Sequence, residues 1–307
     1  MGAWLLEPAS EQQRLASQFL DRVKAGRLIL PGAHDPLAAL LARRAGFEAI
    51  YLSGAAFSAS MGMPDLGLLT LSEVVERARA IVRATGLPLV VDGDTGFGEV
   101  LNVVRLAREL VEAGIAAVQL EDQEMPKKCG HLAGKKLIPP SDMAAKIYAL
   151  KKVYPNLVVI ARTDAHAIEG IEGVLHRVAL YEEAGADIIF PEALTQREEF
   201  EVVRRHSTVP LLANLTEFGK TPLFSAEEIF SMGYEIALFP VSALRVAARA
   251  MEEFYTHLAQ NRSSQAFLPR MQTRAELYEV ISYEEYERFD ASIVKFGEEK
   301  GKIQSSI

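Results

Sequence analysis

Apolar and polar positions repeat along the chain in one arrangement. Four segments, LARRAGFEAIYL from Leu41, LVEAGIAAVQL from Leu110, LYEEAGADIIF from Leu180 and IFSMGYEIALF from Ile229, each run from a helical pattern through one glycine into a short apolar stretch. Gly46, Gly114, Gly185 and Gly233 stand where a helix ends on a left-handed residue, and the apolar stretches behind them predict buried strands. Four further runs, LILPG from Leu28, LPLVVDGD from Leu87, LVVIARTD from Leu157 and VPLLANLTE from Val209, bring the predicted strands to eight. Helical patterns between them cover 71–84, 100–112, 141–152, 170–183 and 226–231.

Strands apolar on both faces that alternate with helices predict a parallel sheet covered by helices. Eight such units in about 230 residues fit an α/β fold of the (β/α)8 TIM-barrel type, which typically takes about 250; a doubly wound open sheet competes. Polar residues favour the barrel, because nearly every predicted strand ends in them: His34 and Asp35, Ser53 and Gly54, Asp92 and Asp94, Glu121 and Asp122, Arg162 and Asp164, Glu192, Asn214 and Thr216, and Ser242. A ring of carboxy-terminal strand ends is where a barrel builds its active site. We read 1–307 as a single barrel domain, with a helical extension over 1–27 and a helical tail over 262–307. The tail follows a helical run over 243–259 and the polar break QNRSSQ, and is too short for a core of its own. It is expected to pack on the barrel or on a neighbouring subunit.

Charge and composition narrow the partners. With 49% apolar and 24% charged residues the chain reads as an ordinary globular protein. A net charge of -8 without a lysine or arginine block argues against nucleic-acid and anionic-membrane surfaces, so an anionic ligand has to meet a few local cations. The start, MGAWLLEPASEQQRL, lacks a secretion signal's cationic and apolar regions, and no apolar run is long enough to span a bilayer. One cysteine cannot form an internal disulfide, which fits a reducing, cytoplasmic location, and no Cys/His cluster has zinc spacing.

Candidate chemistry concentrates at the strand ends. Asp92 and Asp94 follow an apolar run, and residues i and i+2 of an extended chain point the same way, so their carboxylates are expected to converge. Such a pair suits a hard cation such as Mg²⁺, with Glu121 and Asp122 adding oxygen ligands; the plain alternative is a capping turn. Arg162 needs an anion, which is either a ligand or Asp164 two residues on. Ser53, Asn214 and Thr216 can hold a carboxylate or cap a helix. The stretch DQEMPKKCGHLAGKKLIPP, from Asp122, is long for a βα connection and reads as a lid. Within it Cys129 has Lys127, Lys128 and His131 as sequence neighbours, a cationic setting of the kind that lowers a thiol pKa; an inert loop cysteine is the alternative.

The motifs VDGDTGFG, QLEDQ, KKCGH, ARTDA, FPEA, NLTEFG, PLFS and TRAELYE, in this order within roughly Leu28 to Tyr286, resemble the isocitrate lyase and phosphoenolpyruvate mutase superfamily, and most of all its methylisocitrate lyases. The resemblance implies a (β/α)8 barrel whose last helix is exchanged with a neighbouring subunit in a homotetramer of paired dimers. It implies Mg²⁺ dependence, with Mn²⁺ as a substitute, and cleavage of the tricarboxylate 2-methylisocitrate to pyruvate and succinate in propionate breakdown. Asp92, Asp94 and Glu121 would form the metal site. Ser53, Gly54, Ala55, Cys129, Gly130, Arg162, Glu192, Asn214, Leu215, Thr216, Arg245 and Arg274 would contact the substrate. Cys129 would give a proton to carbon, Tyr51 or a metal-linked carboxylate would take the hydroxyl proton, and Lys128 and His131 would help stabilise the departing dianion. Isocitrate lyases share KKCGH, so specificity falls to Phe190, Leu238 and Pro240, a small apolar wall with room for a methyl group, a difference worth about 1 to 3 kcal/mol. Two positions depart from the pattern: SGAA replaces a more glycine-rich segment, leaving Ala55 a backbone contact, and Lys128 stands where the bacterial enzymes often have arginine. Isocitrate lyase, oxaloacetate decarboxylase and phosphonopyruvate-type activities are the alternatives within the superfamily, and a non-catalytic carboxylate-binding barrel is the alternative outside enzymes.

Overall fold

The computed structural model describes residues 11–131 and 134–304. Gly46, Gly114, Gly185 and Gly233 take φ of 93°, 82°, 101° and 87°, so each helix ends on the left-handed residue that its pattern requires. Eight strands follow the predicted runs: β1 Leu28–Pro31, β2 Ile50–Leu52, β3 Leu89–Asp92, β4 Ala117–Glu121, β5 Val158–Thr163, β6 Ile188–Pro191, β7 Leu212–Asn214 and β8 Ile236–Phe239. All pair in parallel, β2 through β6 in one run and β1, β8 and β7 in another. Single parallel bridges, Gly32 to Tyr51 and Ile189 to Leu211, join the two runs and close the barrel. Gly32 is needed at the seam, because a Cβ there would lie 1.9 Å from the Pro240 carbonyl oxygen.

Helices cover the strands through apolar faces at helical spacing. Helix Val100–Glu112 buries Val103, Leu106, Ala107 and Leu110, while Leu71–Thr85 starts at a Thr70–Glu73 capping box and stops at Gly86 in the left-handed region. The predicted helix over 170–183 is longer, His166–Glu183, with an interruption at Gly170 (φ 69°). The SGAA segment leads into a helix, Gly54–Ser60, whose first turn is capped by the Ser53 side chain.

The barrel lies within one compact unit, Ser10–Ala248; a second begins at Arg249. Helix Ser242–Asn261 spans the boundary along the chain and buries none of its residues. The second unit holds helices Arg274–Val280 and Tyr283–Gln304, and Tyr278 stacks on Tyr283 with ring centroids 4.3 Å apart. Among the described residues no helix is long and apolar enough to cross a membrane.

Candidate active site

A cavity of about 470 Å³ opens at the carboxy-terminal strand ends. Tyr51, Ser53, Ala55 and Asp92 line one side, Arg162, Phe190, Glu192, Asn214 and Thr216 another, and Leu238 and Pro240 complete the wall. Over it lie Lys127, Lys128, Cys129, Gly130 and His131 of the long β4 loop, so most of the sequence-predicted residues meet in one place. Leu215 is buried behind the wall, its N-H bonded to the Leu238 carbonyl. Arg245 donates instead to Thr216 Oγ1 and to Glu217, and Arg274 is exposed at the start of its helix in the second unit.

The acidic side is built around β3. Asp92 accepts hydrogen bonds from the Gly54 N-H (3.0 Å) and the Asp94 N-H (3.2 Å). Convergence with Asp94 comes by a different route from the extended alternation expected: Asp94 has φ 47°, so the chain has already left the strand and a left-handed residue, which Asp tolerates, turns its carboxylate back. A Cβ on Gly54 would lie 3.1 Å from Asp92 Oδ2 and 3.3 Å from Asp94 Oδ1, which fixes how closely the pair gathers. Burial and the Asp92 charge push the Asp94 carboxyl up to about 6 despite Lys127 beside it. Burial likewise raises Glu121 well above the carboxylate range, against Arg162 and Lys127. Asp94 Oδ1 and Glu121 Oε1 are both buried; Glu121 Oε1 accepts no hydrogen bond, whereas Asp94 Oδ1 meets the Lys127 ammonium.

Lys127, three per cent exposed, places its ammonium 2.7 Å from Asp94 Oδ1 and also on Asp65. Burial alone would lower its pKa, but Glu121, Asp94, Asp92 and Asp65 hold it above the ordinary lysine range. Asp65 lines the cavity and was missed from sequence, as was Val241; an aspartate in the loop after helix Gly54–Ser60 carries no local signal of a partner 62 residues away. The cationic surroundings expected for Cys129 are therefore directed elsewhere, Lys127 to carboxylates and His131 to Glu192 at 2.9 Å.

Arg162 is held on Asp164 by Nε (2.9 Å) and Nη2 (3.1 Å) and lies 3.3 Å from Glu121 Oε2, so the structural pairing and the cavity-lining position coexist. Burial would raise the Glu192 carboxyl, but Arg162 and His131 hold it below the ordinary value, and Asn214 Nδ2 adds hydrogen bonds of 3.3 Å to both its oxygens. Tyr51 donates to Gln119, and burial followed by the Asp92 charge keeps its phenol well above its ordinary pKa. Asn214 Oδ1 is buried without a donor, an acceptor left over at the cavity wall.

The profile of the Phosphoenolpyruvate phosphomutase family matches residues 19–259. The chain belongs to this family. Its members include relatives similar along nearly the whole chain: a 2-methylisocitrate lyase of Halalkalibacterium halodurans is 52% identical over 95% of this chain and 98% of its own. Among family members of solved structure, 2,3-dimethylmalate lyase, described as a PEP mutase/isocitrate lyase superfamily member, superposes with a TM-score of 0.86 at 34% identity, covering 93% of this chain and 96% of that one. Phosphonopyruvate hydrolase, solved with oxalate and Mg²⁺, gives 0.81 at 28% identity, over 92% and 98%.

Proposed function

We propose that this chain is a Mg²⁺-dependent carbon-carbon lyase that cleaves 2-methylisocitrate to pyruvate and succinate in propionate breakdown, acting in the cytoplasm. The observation that carries this reading is the seating of the lone thiol, Cys129, over a cavity with gathered carboxylates on one side and Arg162, Asn214 and Thr216 on the other.

Asp92, Asp94 and Glu121 would hold the metal. Support comes from Glu121 Oε1, buried and without a donor, and from a carboxylate pair whose mutual charge raises Asp94. A hard cation such as Mg²⁺ prefers oxygen ligands of this kind and keeps several waters. A bound Mg²⁺ supplies Lewis-acid polarisation of the substrate hydroxyl and its neighbouring carboxylate. The Tyr51 phenol, held neutral, has its proton on Gln119, so a carboxylate of the acidic group would take the hydroxyl proton.

Scission turns that carbon-oxygen bond into the pyruvate carbonyl and sends the electron pair of the broken carbon-carbon bond into the succinate half. Arg162, Asn214 and Thr216, with Lys128 of the lid, would donate to the doubly charged enediolate that results, and His131, with Nε2 on Glu192 and Nδ1 accepting the Lys220 N-H, would hold the lid against that wall. Cys129 passes its proton to the carbon, completing succinate. Phe190, Leu238 and Pro240 form the wall beside Arg162, whose guanidinium lies 5.4 Å from the Phe190 ring, and an apolar wall there supports the extra methyl group.

Steady-state assays on 2-methylisocitrate, isocitrate, oxaloacetate and 2,3-dimethylmalate, with and without EDTA, test the reading. The highest kcat/KM is expected on 2-methylisocitrate, with activity lost on chelation. A higher value on any of the others would overturn the substrate, and activity indifferent to EDTA would remove the metal. The same reading includes a homotetramer with exchanged helices, supported by the uncovered apolar residues Val246, Met251, Tyr255 and Leu258 of helix Ser242–Asn261. Light scattering is expected to give four chain masses; a monomer would overturn the assembly.

A further inference from the structure

The lid carries two adjacent lysines beyond the thiol, and they differ. Lys136 is exposed, whereas the Lys135 side chain is one per cent exposed and its ammonium donates both to the Gly130 carbonyl and, at 2.7 Å, to Asp164 Oδ1. Gly130 follows Cys129 directly and is seated without clearance: a Cβ there would lie 2.5 Å from Arg162 Nη2 and 2.6 Å from Glu192 Oε1. Asp164 in turn grips Arg162 through both carboxylate oxygens, and its own N-H donates to Asp122 Oδ1 at 2.9 Å. Asp122 anchors the base of the lid, because Arg177 bridges its carboxylate and the Ile138 carbonyl at 3.1 Å each.

We propose that Lys135 is a positioning residue: its buried ammonium joins the lid backbone beside the proton donor to the carboxylate that orients Arg162, so seating the lid sets Cys129 and Arg162 in one step. This rests on the roles given to Cys129 and Arg162 above. A buried ammonium must satisfy its N-H groups; here one acceptor is Asp164 and another is a peptide carbonyl on the lid, so the same cation joins the lid backbone to the chain just after β5. The tie spans the lid and the chain just after β5, so it acts on the geometry of Cys129 and Arg162 and leaves the substrate's anchoring groups on β3 and β7 in place.

Cys129 is the chain's one cysteine, so its rate of alkylation by iodoacetamide reports lid seating in the full-length protein without substrate. Lys135→Met and Lys135→Gln should label about tenfold faster than the wild type, as expected for a locally opened segment. On 2-methylisocitrate with Mg²⁺, kcat should fall on the order of 100-fold, the scale of an ångström of misplacement, while KM rises by at most about tenfold, since Arg162 shifts but the groups on β3 and β7 stay in place. Lys136→Met should match the wild type in both assays. Labelling at the wild-type rate in either folded variant would overturn the proposal. So would loss of the thermal transition in both, which would make Lys135 a counter-ion of the buried carboxylates. A wild-type protein that leaves 2-methylisocitrate intact would refute the proposed substrate, while the labelling comparison would still decide the tie.

Discussion

Single residues divide the labour at this site by what surrounds them. Cys129 is half-buried among cavity-lining groups and has no disulfide partner, whereas Lys127 and His131, two of the three cationic groups near it in sequence, are bound to carboxylates. The thiol is thus left free for one task. Cys129→Ser replaces it with a hydroxyl of similar shape and far weaker acidity, and kcat is expected to fall by roughly 10² to 10⁴, the range for losing a positioned acid. Binding of pyruvate with Mg²⁺, followed by calorimetry, should be retained; a variant that keeps most of its kcat would remove the proton-donor role. Tyr51 illustrates the opposite case, since a phenol held neutral by burial and by Asp92 is a better donor than base.

At the scale of elements, the lid and the β3 turn decide the geometry. Gly130→Ala would push a methyl group into Arg162 and Glu192, so the lid could no longer seat. We expect kcat/KM to fall by about 100-fold or more while the melting temperature moves by less than about 2 °C, because the barrel core is untouched. Unchanged kcat/KM would show that the seated lid is not the working form. These elements were unequally legible in the sequence. Strand runs and their glycine stops were readable because burial on both faces and a left-handed helix end each demand particular residue types, and β1 to β8 fall where the pattern puts them. The pairing of Asp92 with Asp94 was readable but its cause was not, since the left-handed turn at Asp94 is set by tertiary contacts with Gly54. Asp65 and Lys135 escaped notice for a related reason: a charge's partner, when far off in sequence, leaves no periodic trace.

For the molecule as a whole, metal binding and folding are linked through the same carboxylates. In the metal-free protein Asp94 has its carboxyl raised to about 6, above its unfolded value near 3.9. Its contribution to stability is therefore complete below about pH 4 and is lost as pH rises through about 6. Mg²⁺ needs the ionised form, so the increase in melting temperature on adding the ion should be small at pH 5 and larger at pH 7.5, approaching the shift for about 2.7 kcal/mol at a hundred times the Kd. Scanning calorimetry at both pH values checks this, and an increment that shrinks with rising pH would contradict the acidic site. One feature of that site reaches beyond the reaction. Because the Lys127 ammonium already stands beside Asp94 and Asp65, the newly made chain carries a cation of its own to the place where carboxylates crowd. Folding then need not wait for an ion from the medium, and on the proposed reading the supply of magnesium would govern when the protein begins to work, not whether it takes shape.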